Sequence, residues 1–196
     1  DFKKNDTPDN WKIVNDLVMG GLSNSSIKKN KDGYGLFNGH VSLKNNGGFA
    51  ITQYDFETLE TKSYSKFVLK VKGDEKTYQF RVKYKREDSH SYIAKFKTSN
   101  SWQTIEIPFS TMYPTYRGRL LDMDNYSGNQ MEMVAFLIGN KQEEDFNIDL
   151  IAEQLHRELP RYAIPIFIRL KDQININMRI NVNNLILMLW RTTCWV

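Results

Sequence analysis

The chain of 196 residues has a single cysteine, Cys194, so no intrachain disulfide can form and a structural zinc site built on several thiolates is excluded. Long apolar runs are missing too. The run from Leu185 to Trp190 falls well short of the about 18–20 residues that a membrane-spanning helix needs. Histidine is scarce: His40, His90 and His156 lie far apart and none stands in a paired-ligand spacing, so metal catalysis lacks its usual local signature. No GxSxG elbow occurs, which leaves acyl transfer only generic serines. Gly33 to Gly39, GYGLFNG, departs from a dinucleotide fingerprint because its third glycine comes one residue late and the strand-like Val41-Ser-Leu follows instead of a helix. Those glycines are read as turn residues.

A strong charge of one sign is also lacking in the main body. Residues 1–150 hold 21 basic and 20 acidic side chains, a balance of +1, while residues 151–196 hold 6 and 3, a balance of +3. The total of +4 therefore arises mainly from the short C-terminal part, and composition does not indicate a groove that tracks nucleic-acid phosphates. The length suits one domain and a remainder.

What is present is a succession of short strands. In Tyr78 to Tyr84, Tyr78, Phe80, Val82 and Tyr84 alternate with Gln79, Arg81 and Lys83, the period of a sheet with one buried and one wet face. Phe67 to Val71, Tyr92 to Phe96, Trp102 to Ile107 and Phe146 to Leu150 alternate in the same way between turn-forming residues. Met131 to Ile138 is continuously apolar towards its end, which predicts a central strand covered on both sides. The pattern predicts an all-β sandwich. Trp11 and Trp102 are expected to pack in its core. After Ile151 the character changes: Ala152 to Leu159 has the pattern of a short helix, Pro160 and Pro165 interrupt it, and no glycine follows.

Two loops carry the candidate binding residues. VNDLVMGGLS, Val14 to Ser23, contains Asn15, Asp16, Gly20 and Gly21; NNGGF contains Asn45, Asn46, Gly47 and Gly48. Both compositions suit chain reversals, with Asn15 and Asp16 capping backbone amides and Val18 and Met19 directed into or along the core. The functional alternative is a sugar or calcium loop using Asp16, Asn45 and Asn46 as oxygen ligands, and calcium is the one cofactor these residues suggest. Tyr116 and Arg117 place a planar cation beside an aromatic surface, for an internal salt bridge in the first instance or for a carboxylate, phosphate or acidic partner.

Four patches in order resemble the complex I intermediate-associated protein 30 family: Trp11 with VNDLVMGGLSNS, FNGHVSLKNNGGFA from Phe37, IPFSTMYPTYRG from Ile107, and LIGNKQEEDFNIDLI from Leu137. Leu17 stands where that family commonly has glycine. The resemblance implies a galactose-binding-like jelly-roll β-sandwich over residues 1–151. It also implies a non-catalytic role in assembling NADH:ubiquinone oxidoreductase, with a respiratory complex I subunit or another membrane-protein intermediate as partner; a carbohydrate-binding module is the alternative. The tail, IAEQLHRELPRYAIPIFIRL from Ile151, resembles the C-terminal region of fatty-acid-transport-type acyl-CoA synthetases. It lacks that family's later glycine and lysine, so residues 152–196 are expected to be a partly helical or irregular fused remnant without synthetase activity. The chain opens at Asp1 with no basic and apolar leader, and the compartment is read only conditionally, as cytoplasm in a bacterium or mitochondrion in a eukaryote.

Overall fold

Alternation of apolar and polar side chains is realised as two antiparallel sheets in the computed structural model, which describes residues 11–156. In chain order the strands are β1 (Trp11–Ile13), β2 (Asn24–Lys29), β3 (Gly35–Val41), β4 (Ala50–Glu60), β5 (Lys66–Lys72), β6 (Thr77–Lys83), β7 (Ser91–Lys97), β8 (Gln103–Pro108), β9 (Tyr113–Tyr116), β10 (Arg119–Leu120), β11 (Gln130–Ile138) and β12 (Glu144–His156). One sheet has seven strands in the order β1-β4-β11-β6-β7-β9-β10, and the other five in the order β2-β3-β12-β5-β8. Consecutive strands repeatedly change sheet, as in a jelly roll. Among the described residues no helix is long and apolar enough to cross a membrane.

The inner faces meet through aromatic rings. Phe67 of β5 lies 4.9 Å from Phe80 of β6 and 4.7 Å from Phe109, and Phe146 of β12 lies 6.5 Å from Tyr78 of β6; within the five-stranded sheet Phe37 of β3 packs 4.8 Å from Phe146. Tyr126 is buried with them; its hydroxyl donates to the Gln130 carbonyl at 2.9 Å, and burial pushes its phenol up to about 12. A ring can enter a core in this way when its polar tip finds a partner. Strand β11 lies between β4 and β6 and is buried on both faces from Met133 to Ile138, as its apolar run predicts.

Several expectations need correcting. The glycine-rich stretch is mostly strand: β3 begins at Gly35 and runs through Gly39, leaving only Gly33, with φ +83°, in the turn. Gly39 permits close strand contact, because a Cβ there would lie 2.1 Å from the Asn24 carbonyl oxygen. Trp102 precedes β8, is 37% exposed and packs edge-on against Tyr34 at 5.0 Å. Trp11 does join the aromatic layer, 5.4 Å from Tyr54 and 6.2 Å from Phe136. From Ala152 to His156 the backbone continues β12, pairing Glu153 to His156 with Leu69 to Lys66, where a helix was expected. Backbone pairing to β5 outweighs the weak preference of a few isolated helix formers. The rest of the tail and its acyl-CoA synthetase resemblance lie outside the described residues.

Truncating Phe67 to alanine should cost about 3–5 kcal/mol, because it removes one ring from a cluster shared by both sheets. Urea unfolding should show a lowered midpoint with an unchanged slope.

Candidate functional site

The two candidate loops converge on one carboxylate. Asp16 opens a 3-10 turn, Asp16–Met19, whose exit residue Gly20 has φ +87°. Its side chain is 0% exposed. Oδ1 accepts the Ser23 backbone N–H at 3.0 Å, and Oδ2 accepts the Ser23 hydroxyl at 2.5 Å, the Gly48 N–H at 2.6 Å and the Phe49 N–H at 3.3 Å. The Ser23 hydroxyl in turn accepts the Ser42 N–H at 2.9 Å. One side chain thereby joins the segment before β2 to the crossover from β3 to β4.

Burial opposes charge on Asp16, but the Ser23 hydroxyl and the amides of Gly48, Ser23 and Phe49 together outweigh it, so the carboxyl is held below its ordinary value. The glycines make room for this arrangement. A Cβ at Gly21 would lie 2.4 Å from the Asp16 carboxyl carbon, and one at Gly47 would lie 2.6 Å from its Oδ2. Asn45 and Asn46 have φ values of +55° and +59°, and Gly48 has +138°, so the crossover turns through conformations that asparagine and glycine tolerate.

This geometry separates the proposed calcium ligands. Asp16 points inward at N–H donors, whose positive ends would repel a cation, whereas Asn45 and Asn46 are exposed. Among the described residues no group of three or more His, Cys, Asp or Glu is arranged to hold a metal ion. Asn15 is buried as well; its Oδ1 accepts the Ser25 hydroxyl at 2.8 Å and its Nδ2 donates to the Ser23 carbonyl at 3.4 Å, so it binds a hydroxyl and a carbonyl instead of capping an amide.

The outer side of the corner exposes several apolar side chains beside Lys44, Asn45 and Asn46. Leu17 is 61% exposed, Met19 58%, Leu22 50% and Leu43 43%. Met19 therefore does not point into the core: the 3-10 turn directs its one polar residue, Asp16, inward, and Leu17 and Met19 stand outside. Leu17 stood out in the sequence only as a departure from the family's glycine and Leu22 not at all; their signal was the placement of apolar residues on either side of a polar anchor.

Tyr116 and Arg117 lie elsewhere, at the end of the seven-stranded sheet. Arg117 and Gly118, with φ of +48° and +76°, form the two-residue turn that pairs Tyr116 with Arg119. The Arg117 guanidinium sits 5.4 Å from the Tyr116 ring centroid, and no carboxylate pairs with it among the described residues. A cation–π contact takes the place of the expected salt bridge. His40 of β3 has two carboxylate neighbours, Asp145 Oδ1 at 2.8 Å from Nδ1 and Glu143 Oε1 at 3.3 Å from Nε2. The hydrogen bond to Asp145, then that to Glu143, raises its pKa above the ordinary histidine value.

The family model for complex I intermediate-associated protein 30 matches residues 1–150. Complex I intermediate-associated protein 30, mitochondrial, of Drosophila melanogaster is 26% identical over 62% of this chain and 49% of its own length, so the chain spans about half of that relative. An uncharacterised protein of Schizosaccharomyces pombe is 29% identical, with 73% of this chain and 78% of that protein covered. Among solved structures, the family 11 carbohydrate-binding module of the cellulosomal cellulase Lic26A-Cel5E of Clostridium thermocellum superposes with a TM-score of 0.57 at 19% identity, over 78% of this chain and 91% of that one. A structure of that family's module in complex with a β-1,3-1,4-mixed-linked tetrasaccharide gives 0.52 at 19%, over 73% and 89%. At such identities these neighbours establish a shared β-sandwich fold.

Replacing Asp16 with alanine should leave the buried Ser23, Gly48 and Phe49 donors without an acceptor and cost about 3 kcal/mol or more, measured by urea unfolding at neutral pH. Because the folded pKa is depressed, the charge contributes stability above the unfolded value and loses it as pH falls through the folded value. Asp16→Asn should therefore lack that acid-side component. For His40 the sign is opposite: its contribution is present below the ordinary value near 6.5 and is lost as pH rises through the raised one. An NMR titration should place its midpoint above 6.5, and Asp145→Asn should lower it.

Proposed function

Because the chain belongs to the complex I intermediate-associated protein 30 family, we propose that it is a non-catalytic module that holds a protein partner during assembly of a respiratory complex. The partner in this reading is a complex I subunit or another membrane-protein assembly intermediate, by analogy with the name of the Drosophila relative.

The observation that carries the reading is the corner around Asp16. Its backbone is held from within by a buried anion, and the same two loops present Leu17, Met19, Leu22 and Leu43 to solvent. Exposed apolar side chains on a fixed backbone suit recognition of a protein surface, since less conformational freedom remains to be lost on binding. The carboxylate of Asp16 in this corner is committed to the fold. The carbohydrate alternative draws on shared fold alone.

Affinity purification of the full chain from its native cells should recover complex I subunits or their assembly intermediates. A Leu17→Asp, Met19→Asp variant should lose them while keeping its unfolding midpoint, because both side chains are already in water. Absence of any respiratory-chain partner, or recovery unchanged by the double variant, would count against the proposal. The mixed-linked tetrasaccharide should give no saturable heat in titration calorimetry; saturable binding would favour the carbohydrate reading.

A further inference from the structure

The outward face of the seven-stranded sheet contains a cation whose charge the protein leaves unmatched. Alternation along β6 sends Tyr78, Phe80 and Val82 into the core, so Gln79, Arg81 and Lys83 stand on the opposite face. The strand register sets Gln53, Ala135, Arg81, Ile93 and Tyr113 in one row across β4, β11, β6, β7 and β9. Ala135 and Ile93 are buried although neither belongs to the core cluster between the sheets, so the floor of this row is dry.

Arg81 lies on that floor, half-buried, and reaches one acceptor. Its Nε and Nη2 both donate to Gln79 Oε1, at 3.2 and 2.9 Å. A guanidinium has five N–H donors, so most of its capacity is unused, and no carboxylate pairs with it among the described residues. Arg86, by contrast, has Glu57, Glu87 and Glu132 within 3.6–3.8 Å. Asp55, two residues along β4 from Gln53, is committed to Lys12 at 2.7 Å and to the Gln53 amide at 3.1 Å. Burial pushes the Arg81 guanidinium down to about 10, while the neighbouring Tyr113 phenol acts in the other direction. A desolvated cation without a counter-ion is a cost that a folded protein otherwise avoids.

We propose that this row is a carboxylate-binding site, with Arg81 as a two-pronged cationic anchor and Gln53 and Tyr113 as flanking walls. Gln53 and Arg81 stand two strands apart, about 10 Å between backbones, and the strand between them presents only the methyl group of Ala135. The planar fork of Arg81, with donors left over from its one acceptor, matches the geometry of a carboxylate presented to this face. The carboxylate belongs either to an acidic side chain of a protein or to a free organic acid; the recognition chemistry is the same. This site does not depend on the assembly reading.

The test is an NMR titration of the Arg81 Nε resonance in the full chain at constant ionic strength. The probes are glutarate and an end-blocked hexaglutamate peptide, with an end-blocked hexaglutamine peptide as the neutral control. Both acids should shift the resonance saturably and hexaglutamine should not. Peptide affinity beyond what its number of carboxylates accounts for assigns the source to a protein, and equal affinity per carboxylate assigns it to a free acid. Arg81→Lys should weaken binding at least about tenfold, because the fork is lost. Arg81→Met should abolish binding yet leave the melting temperature unchanged or raised, since it removes an unpaired, half-buried charge. Shifts that do not saturate, or that hexaglutamine reproduces, would overturn the proposal. So would a melting temperature several degrees lower in Arg81→Met, which would make the residue a support of the fold.

Discussion

A buried carboxylate with four donors around it sets the position of everything at one corner of this sandwich. Asp16 takes hydrogen bonds from Ser23, Gly48 and Phe49, and Ser23 passes the connection on to Ser42. These contacts span the segment leading into β2 and the crossover that carries the chain from the five-stranded sheet to the seven-stranded one. An ionised group can stay in such a place only because oriented N–H and O–H dipoles replace the water it has lost. The same requirement accounts for the paired glycines, since side chains at Gly21 and Gly47 would occupy the space the carboxyl group fills.

From that anchor follows the division of labour between inside and outside. The polar member of the 3-10 turn is consumed by the fold, and the apolar residues near it are left facing solvent. The seven-stranded sheet shows a related division across its thickness. Its inner face supplies Phe80 and Phe136 to the aromatic core, while its outer face places Arg81 over a dry floor of Ala135 and Ile93 with Gln79 as its one acceptor. Apolar surface outside and a charge without a counter-ion are both costs to the isolated chain, and both become favourable contacts when something of complementary chemistry arrives.

Much of the architecture was legible along the chain because a sheet's period of two writes itself into short segments. Tyr78 to Lys83 alternates without interruption and Phe67 to Val71 does so but for Val68, and in both strands the alternating apolar set faces inward. The apolar end of Met131 to Ile138 marked the central strand by the opposite sign, an unbroken apolar run that is buried on both faces. Less was legible where one residue answers to a distant one. Gly35 and Gly39 read as turn residues, yet they sit in β3, where the approach of β2 leaves no space for a side chain at Gly39. Ala152 to His156 had helical character of its own but pairs with β5, because a backbone edge already waiting in the sheet outweighs local preference.

The candidate site divides along the same line. Local chemistry determined that VNDLVMGGLS and NNGGF would be reversals, because asparagine and glycine accept positive φ. The family, too, was carried by the order of its motifs. That Asp16 serves as a structural anion was a decision of the tertiary structure, since its donors lie up to 33 residues away and no spacing rule connects them. Equally, nothing local marks Arg81 out from other arginines on strands; only the register across five strands shows that no carboxylate comes within reach of it. Periodicity and turn chemistry act between neighbours in the chain, whereas the fate of a buried charge depends on every group the fold brings to it.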